Sequence, residues 1–452
     1  MLERSSQFPG ALDAYHQALE RDQWSPLLNV RIGATYLKLG QTAQALQAFE
    51  RALAIRPNHP DALRWVAMLH ASQGQIDHAI ADYQQLLQVE PRDQFVISTL
   101  ADLYILQGEL GKAAGLYEEL ARELSTSSQM HFNLGVLYGR MSRFSEALEE
   151  LSRAMELSPE TLDIRVALGL TYELSGRFEQ AAAHYEAAVR LDPLNSRLYH
   201  HAARAHAGAQ QLDAALIDYQ SILELSPRDI EAILGVVRVR IAQKQFDEAT
   251  RFLARELKAL EESPELYVML GVVYREAKQP QEAVRAFERA ISVKGDYAQA
   301  HFYLATALDQ LGRRDDARKN LRRTLEINPQ HPDAMNYLGY LNAESGVDLL
   351  EAKRLIERAI ALDPENGAYV DSLGWVYFKM GKLDEAITHL ERAGALLETD
   401  PVIFDHLGDA YFKRRDVERA RHSWERSLKL DPTQIAIQEK LDRLITHQTA
   451  LP

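Results

Sequence analysis

The sequence predicts an all-α protein, a right-handed superhelical solenoid of helix-turn-helix repeats. Three observations support this prediction: paired amphipathic helical patterns joined by a glycine, recurrence of that pair at a constant interval, and prolines at the ends of the pairs. In each pattern the apolar residues follow the i, i+3, i+4, i+7 spacing of a helix that buries one stripe. Because one such pair is too small to bury its own apolar face, neighbouring pairs must stack on one another.

The stretch 367–400 shows the repeating unit most clearly. Its first helical pattern contains Gly374 with Tyr377 nearby, and its second contains Ala386 with Leu390 nearby. The small residues allow the two helix backbones to approach closely, and the large neighbours fill the space beside them. Gly381 separates the two patterns and ends the first helix. The unit is therefore predicted to be an antiparallel helical hairpin.

The spacing of the small residues is constant along most of the chain. The second-helix alanine recurs in equal steps at Ala45, Ala79, Ala113, Ala147, Ala181, Ala215, Ala249, Ala283 and Ala317. Prolines that disfavour helix in the preceding residue follow at Pro57, Pro91, Pro159, Pro193, Pro227 and Pro329. This period, with its Gly, Tyr, Ala and Pro positions, resembles the tetratricopeptide repeat (TPR). The resemblance implies that the first helices line a concave surface.

The register divides the chain into three parts. Residues 1–25 match only the second helix of a repeat, with Phe8 and Tyr15 on its apolar face, so we expect Met1 not to be the natural start of the repeat array. Residues 26–434 form twelve repeats in one solenoid, and residues 435–452 form a capping helix and tail. The repeat 332–366 has one extra residue in its linker. The repeat 230–263 is the weakest, and we expect local irregularity there.

Composition limits the possible functions. The formal net charge of -14 argues against non-specific binding of nucleic acid. No apolar run is long enough for a transmembrane helix. The chain has no cysteine, which excludes disulfides, thiolate metal sites and cysteine nucleophiles. We therefore expect partners that are proteins or peptides, and the sequence leaves the oligomeric state open.

A search for catalytic motifs finds no site. The run 108–113 contains a Gly-Lys pair but lacks the spacing and the Ser or Thr of a phosphate-binding loop. The densest histidine cluster is His200, His201 and His206. His200 and His206 are six residues apart and lie on different helix faces, which does not suit a metal site. We interpret it as one core histidine and two groove-side histidines. The sequence therefore predicts no enzyme activity, no cofactor and no metal.

The inner surface is the remaining candidate for function. In the last three repeats the positions offset from the core stripe share a helix face. They are Asn336, Tyr340, Asp371, Trp375, Phe378, Lys379, Asp405, Asp409, Phe412 and Lys413. Two interpretations stay open: the aromatic residues pack between neighbouring first helices, or they anchor apolar side chains of a partner peptide while the Asp and Asn side chains bind its polar groups. Leu27, Val30 and Leu37 form a second, apolar groove candidate in the first full repeat.

The C-terminal third shows a closer resemblance. The runs NYLGY at 336–340 and DSLGWVY at 371–377, with the one-residue-longer linker between them, resemble bacterial envelope TPR lipoproteins that act as adaptors for a carboxyl-terminal processing protease. This resemblance implies a scaffold in the periplasm or at the outer membrane that brings a protease and its substrates together. Two alternatives stay open: a cytoplasmic TPR scaffold, or a regulatory TPR module of a larger enzyme whose catalytic domain lies upstream.

Overall fold

The computed structural model describes residues 8–449, with the side chains of residues 8–444, and every regular element in this part of the chain is an α-helix. The chain forms two compact units, one that ends at Leu225 and one that begins at Ser226. The first unit contains α1 (Phe8–Arg21), α2 (Pro26–Lys38), α3 (Thr42–Ile55), α4 (Pro60–Ser72), α5 (Ile76–Val89), α6 (Gln94–Gln107), α7 (Leu110–Glu123), α8 (Ser128–Arg140), α9 (Phe144–Leu157), α10 (Leu162–Leu174), α11 (Phe178–Leu191), α12 (Ser196–Gly208) and α13 (Leu212–Leu225).

The second unit continues the same alternation of first and second helices. It contains α14 (Ile230–Ala242), α15 (Phe246–Glu256), α16 (Pro264–Glu276), α17 (Pro280–Val293), α18 (Ala298–Gln310), α19 (Arg314–Ile327), α20 (Pro332–Glu344), α21 (Leu349–Leu362), α22 (Gly367–Lys379), α23 (Leu383–Leu396), α24 (Pro401–Lys413), α25 (Val417–Leu430) and α26 (Ile435–Thr449). From α2 to α25 the helices pair as hairpins, so the all-α repeat architecture predicted from the sequence is confirmed. A single continuous solenoid stays a prediction.

The core of each hairpin lies where the small residues meet. The second-helix alanines are completely buried at Ala45, Ala79, Ala113, Ala147, Ala181, Ala215, Ala249, Ala283, Ala317, Ala352, Ala386 and Ala420. Opposite them, a Cβ atom added to Gly169 would lie only 2.6 Å from the ring of Tyr185. Such a distance is too short for carbon atoms in contact, so the helices pack as closely as the sequence predicted.

The weakest repeat is irregular, as expected. Its second helix, α15, has 11 residues, whereas the preceding second helix, α13, has 14. Val237 replaces the usual small residue and is completely buried. Arg240 replaces the usual tyrosine, and its Nη1 lies 2.9 Å from the carboxylate of Glu248. A larger residue at the close contact and a charged residue at an aromatic position thus coincide with a shortened helix.

The extra residue of the repeat 332–366 lies in its linker. Both Gly346 (φ 66°) and Asp348 (φ 46°) have left-handed backbone conformations. The linker therefore absorbs the insertion, and the helices on either side keep their lengths of 13 and 14 residues.

The chain ends add single helices to the hairpins. At the front, α1 packs on α2, and Lys38 Nζ lies 5.3 Å from the ring centre of Phe8. The expectation about the natural start of the array concerns residues before Phe8, outside the described part, and stays a prediction. At the other end, α26 begins one repeat period after Pro401 and buries Ile437 and Leu444 against the last hairpin. This helix therefore has the register of a further first helix.

The histidine cluster is a structural feature. His206 is 3% exposed, and its ring nitrogens lie 2.7 Å from Asp218 and 3.0 Å from Glu186. The hydrogen bond from His206 to Asp218 raises the pKa of the imidazole, and Glu186 adds to this effect, although burial opposes it. Two carboxylates on one ring fit a charged imidazolium in the core. The assignment of His206 to the core is thus confirmed.

Candidate functional site

The predicted site residues lie on three first helices of the second unit, α20, α22 and α24. Side-chain caps fix where these helices begin. The His331 side chain accepts a hydrogen bond from the backbone N–H of Ala334, Asn366 accepts one from Tyr369, and Asp400 accepts one from Val402 at 2.9 Å. Each helix then presents residues four apart on one face. Neighbouring first helices also contact each other, α20 with α22 and α22 with α24, so their inner faces form one surface.

Trp375 belongs to the packing between first helices. It is only 7% exposed and stacks on Phe378 and His406, with ring-centre distances of 4.7 Å and 4.0 Å. Its indole N–H donates a 2.5 Å hydrogen bond to Glu344. Of the two interpretations of the aromatic residues, Trp375 therefore fits inter-helix packing, because it offers almost no surface to a partner.

Asp371 is also held inside the protein. Its carboxylate lies 3.0 Å from His406 Nδ1, and both side chains are buried. Burial opposes a positive charge on His406, yet the adjacent Asp371 carboxylate, together with Asp405 and Asp409, outweighs burial and raises the pKa of the imidazole. The pair thus links α22 to α24, and Asp371 is not available to orient a peptide.

Asp405 and Asp409 bind a residue that the sequence interpretation did not include. Lys440 Nζ on α26 lies 2.6 Å from a carboxylate oxygen of each. Asp409 also accepts a 3.2 Å hydrogen bond from the indole N–H of Trp424. Burial raises the pKa of the Asp409 carboxyl, although Lys440 acts in the opposite direction. The final helix therefore satisfies the carboxylates that we expected to bind a peptide.

The carboxylate on the α20 side of this surface, Glu344, also has a cationic partner inside the protein. Lys379 Nζ lies 3.4 Å from Glu344 and 4.8 Å from the ring centre of Trp375. Burial raises the pKa of Glu344, but the Trp375 hydrogen bond and Lys379 together outweigh it and leave that pKa below its usual value. Burial raises the pKa of Tyr340 to about 12, helped by the nearby Glu344 and Asp371. Asn336 is half-buried, and its side-chain oxygen has no hydrogen-bond partner among the described residues.

Beside these pairs lies an open cavity of 510 Å³, which we call the C-terminal pocket. It is lined by Phe378, Asp409, Phe412, Lys413, Trp424, Lys440, Arg443 and Leu444. Phe412 is 49% exposed, and Lys413 is exposed with its Nζ 4.5 Å from the ring centre of Phe378. This volume is in the range of ordinary ligand pockets. Four predicted site residues therefore meet at one cavity, and their aromatic surface is accessible.

The sequence interpretation missed the half of the pocket that α26 supplies. Lys440, Arg443 and Leu444 all come from this helix, which we had treated as a cap. A signal for them was present, because Ile435 stands one repeat period after Pro401 and so continues the first-helix register. Trp424 was also missed, although it occupies the second-helix position of Leu390 in the preceding repeat.

An equivalent cavity exists in the first unit, nine repeats earlier. This first-unit pocket has a volume of 410 Å³ and is lined by Asp102, Ile105, Leu106, Tyr117, Phe132, Asn133, Val136, Leu137 and Arg140. Tyr117 donates a 2.7 Å hydrogen bond to Asp102, as Trp424 does to Asp409. The sequence interpretation placed the N-terminal groove elsewhere, at Leu27, Val30 and Leu37. Of these, Val30 is a buried core residue, and Leu27 is 55% exposed.

The described residues show no arrangement for catalysis or membrane insertion. Within this part of the chain no three His, Cys, Asp or Glu side chains are placed to hold a metal ion. Among the described helices none combines the length and the apolar character that a membrane span requires.

Relatives among characterised proteins match short parts of the chain. The TPR repeat-containing protein PA4667 of Pseudomonas aeruginosa is 30% identical over 140 residues, which are 29% of this chain and 23% of that protein. The protein O-mannosyl-transferase Tmtc3 of Drosophila melanogaster is 28% identical over 30% of this chain and 14% of its own length. The probable biofilm formation methyltransferase WspC of P. aeruginosa is 34% identical over 19% and 20%. The chain thus spans less than a quarter of each of these relatives.

Solved structures with long alignments have low sequence identity. The APC/C hetero-tetramer Cut9–Hcn1 aligns with a TM-score of 0.45 at 16% identity, over 92% of this chain and 89% of that chain. Yeast Tom70 aligns with a TM-score of 0.41 at 17% identity, over 98% and 96%.

Family sequence models give the direct assignment. Models described as tetratricopeptide repeat match residues 32–99, 132–196, 166–230, 274–338, 348–401 and 401–434, which together are more than half of the chain. The matched segments overlap hairpins of both units. The chain belongs to the tetratricopeptide repeat family.

Proposed function

We propose that this protein is a protein-binding scaffold and that the C-terminal pocket is one of its binding surfaces. Membership of the TPR family supports protein binding in general. The observation that favours this pocket is the exposed ring of Phe412 beside Phe378 and Leu444, in a cavity of 510 Å³. Aromatic anchors in pockets of this kind supply much of the binding energy in protein interfaces.

The more specific proposal is an adaptor for a carboxyl-terminal processing protease in the bacterial envelope. Its support is the resemblance of the NYLGY and DSLGWVY segments to envelope TPR adaptors. In the structure these segments form α20 and α22, and Phe378, the residue after DSLGWVY, lines the pocket.

The test is a pull-down from bacterial envelope and cytoplasmic extracts with wild-type protein and the Phe412→Ser variant. Phe412 is the appropriate target because it is exposed, whereas Trp375→Ala would remove buried packing. Val402→Ser is the matched control, since Val402 is 46% exposed on the same helix and does not line the pocket.

We expect that some partners bind wild type and Val402→Ser but are lost with Phe412→Ser. Among the envelope partners a processing protease would support the adaptor proposal, and partners found only in the cytoplasmic extract would favour the cytoplasmic scaffold. Equal recovery of the same partners by all three baits would contradict the proposal that the C-terminal pocket binds proteins.

A second candidate is a regulatory TPR module of a larger enzyme. It is favoured by the matches to two relatives named as transferases, Tmtc3 and WspC, each of which is much longer than the matched segment. Immunoblotting of the protein from its native cells would test it, because a module of an enzyme would migrate as a chain well above 51.2 kDa.

A further inference from the structure

The acidic residues in and beside the C-terminal pocket already have cationic partners inside the protein. Asp371 is paired with His406, and Lys440 lies 2.6 Å from both Asp405 and Asp409. A basic partner group would have to displace Lys440 from two charge-assisted contacts, which are among the stronger hydrogen bonds in proteins. These carboxylates are therefore poor binding sites for a partner's Lys or Arg.

The cations of the pocket are less constrained. Among the described residues Lys413 forms no ion pair, and its Nζ lies over the ring of Phe378 at 4.5 Å. Arg443 has a 3.6 Å ion pair with Glu439, but its side chain is 77% exposed, and exposed pairs of this kind contribute little. The charge that the pocket offers to a partner is therefore positive.

Comparison with the first-unit pocket shows that the repeat fold does not require these cations. Nine repeats earlier, the position of Lys413 is occupied by Leu106, that of Lys440 by Asn133 and that of Arg443 by Val136. Both pockets keep the aspartate, its donor from the second helix and the leucine from the following helix. Among its described lining residues, the first-unit pocket has Arg140 as its one cation and builds the same cavity with neutral residues at these three positions, so the cations at these positions are specific to the C-terminal pocket.

We infer that the C-terminal pocket binds a protein segment that inserts a large apolar side chain and places an Asp or Glu carboxylate against Lys413. The apolar side chain contacts Phe378, Phe412 and Leu444, which form the wall of the cavity. The carboxylate meets the Lys413 ammonium beside an aromatic surface, where charge complementarity selects the partner and speeds its association. This inference rests on the proposed function and specifies the chemistry of the partner.

The experiment is a selection from a phage library of random peptides on immobilised full-length protein. Four baits are compared: wild type, Lys413→Glu, Phe412→Ser and Lys429→Glu. Lys429 is an exposed lysine on α25 that does not line the pocket, so its variant has the same charge change at a neutral location. Circular dichroism melting of each bait verifies that it is folded.

We expect wild type and Lys429→Glu to enrich peptides that combine Leu, Phe or Trp with Asp or Glu. Lys413→Glu should weaken a synthetic copy of the best peptide at least tenfold and shift the selection towards Lys and Arg. Two results would overturn the inference but would leave the proposal that the pocket binds proteins in place. One is that the wild-type bait selects Phe412-dependent peptides rich in Lys or Arg, and the other is that Lys413→Glu keeps the same preference for acidic peptides. Enrichment that does not depend on Phe412 would overturn the proposed function and this inference with it.

Discussion

The hairpins α6–α7 and α24–α25 occupy equivalent positions nine repeats apart, and they differ mainly in what surrounds one aspartate. Both first helices begin at a capping aspartate, Asp93 or Asp400. In α6–α7, Tyr117 donates to Asp102, which stays exposed. In α24–α25, Trp424 donates to Asp409, which is half-buried and also bound by Lys440. The same backbone arrangement thus supports a largely neutral cavity in one case and a cationic one in the other.

This contrast shows that, within a repeat, the residues that hold the hairpin together differ from those that set the charge of the pocket. The positions that hold a hairpin together face its partner helix, where small residues meet large apolar or aromatic ones in both hairpins. The positions that line the pocket face the next first helix, and here the chain replaces Leu106, Asn133 and Val136 with Lys413, Lys440 and Arg443. The two hairpins can therefore be compared experimentally by exchanging residues between equivalent positions.

The greatest loss of stability is expected at the close contact that differs between the two hairpins. Ala101 stands opposite Tyr117, but Gly408 stands opposite the larger Trp424, and a Cβ at residue 408 would lie 2.4 Å from the indole. We expect Gly408→Ala to lower the free energy of unfolding by about 3 kcal/mol, because the overpacked indole has to move. Urea denaturation measures this.

Gly115→Ala on α7 is the control for this substitution. No atom lies within 4 Å of its added methyl. It should therefore stabilise by up to about 1 kcal/mol, because alanine loses less backbone entropy than glycine in a helix. Stabilisation by both variants would show that Trp424 can adapt.

A somewhat smaller loss is expected for the ion pairs that the final helix contributes. Lys440→Asn introduces the residue of the first-unit pocket and removes both 2.6 Å contacts. We expect a loss of about 2 kcal/mol at neutral pH. Burial and the neighbouring Asp405 carboxylate raise the pKa of Asp409, and without Lys440 less opposes them, so the variant gains relative stability when the carboxyl is protonated. Denaturation between pH 4 and 7 should show a deficit that grows with pH. A deficit independent of pH would contradict the assigned role of Lys440.

For the buried His406–Asp371 pair we expect the stability deficit of a variant to shrink with rising pH, in contrast to the deficit of Lys440→Asn. His406→Thr introduces the residue found at position 99 in α6. It should cost about 1.5 kcal/mol at low pH. The pKa of His406 is raised in the folded state, so its contribution is fully present below the unfolded value of about 6.5 and is lost as pH rises through the folded value. Urea midpoints of wild type and variant should therefore converge as the pH rises from 6 to 9. A constant or widening gap would mean that His406 is neutral in the fold.

Substitutions in the hairpin turns should change stability least. Each turn contains one residue with a left-handed conformation, with φ 79° at Gly108 in one hairpin and φ 66° at Arg415 in the other. Glycine adopts this conformation without strain, whereas for other residues it costs about 1 kcal/mol. Arg415→Gly should therefore raise the melting temperature, and Gly108→Ala should lower it. The same sign for both would show that the turns are not equivalent.

The repeats and their core were predictable from the sequence because both depend on a fixed period. Once the register is known, the complete burial of Ala45 or Ala386 follows from the geometry of a helical hairpin. The pocket was only partly predictable, since it depends on contacts between neighbouring repeats. Trp375 occupies an inner-face position but packs on His406 of the next first helix, and no pattern within one helix shows that. Lys440 was missed for the same reason, because its role appears only when α26 is aligned as a first helix.

Two accessible cations, Lys413 and Arg443, on this account convert a shared cavity into a site for acidic, apolar segments. The most direct test is the affinity of one display-selected acidic peptide for wild type and for the double variant Lys413→Leu, Arg443→Val, measured by fluorescence anisotropy at two salt concentrations. Each substitution introduces the residue that the first-unit pocket already contains, and Lys440 keeps its internal ion pairs. We predict at least tenfold weaker binding to the double variant and a smaller dependence of the affinity on salt. Equal affinity and equal salt dependence for the two proteins would contradict the cationic character assigned to the C-terminal pocket.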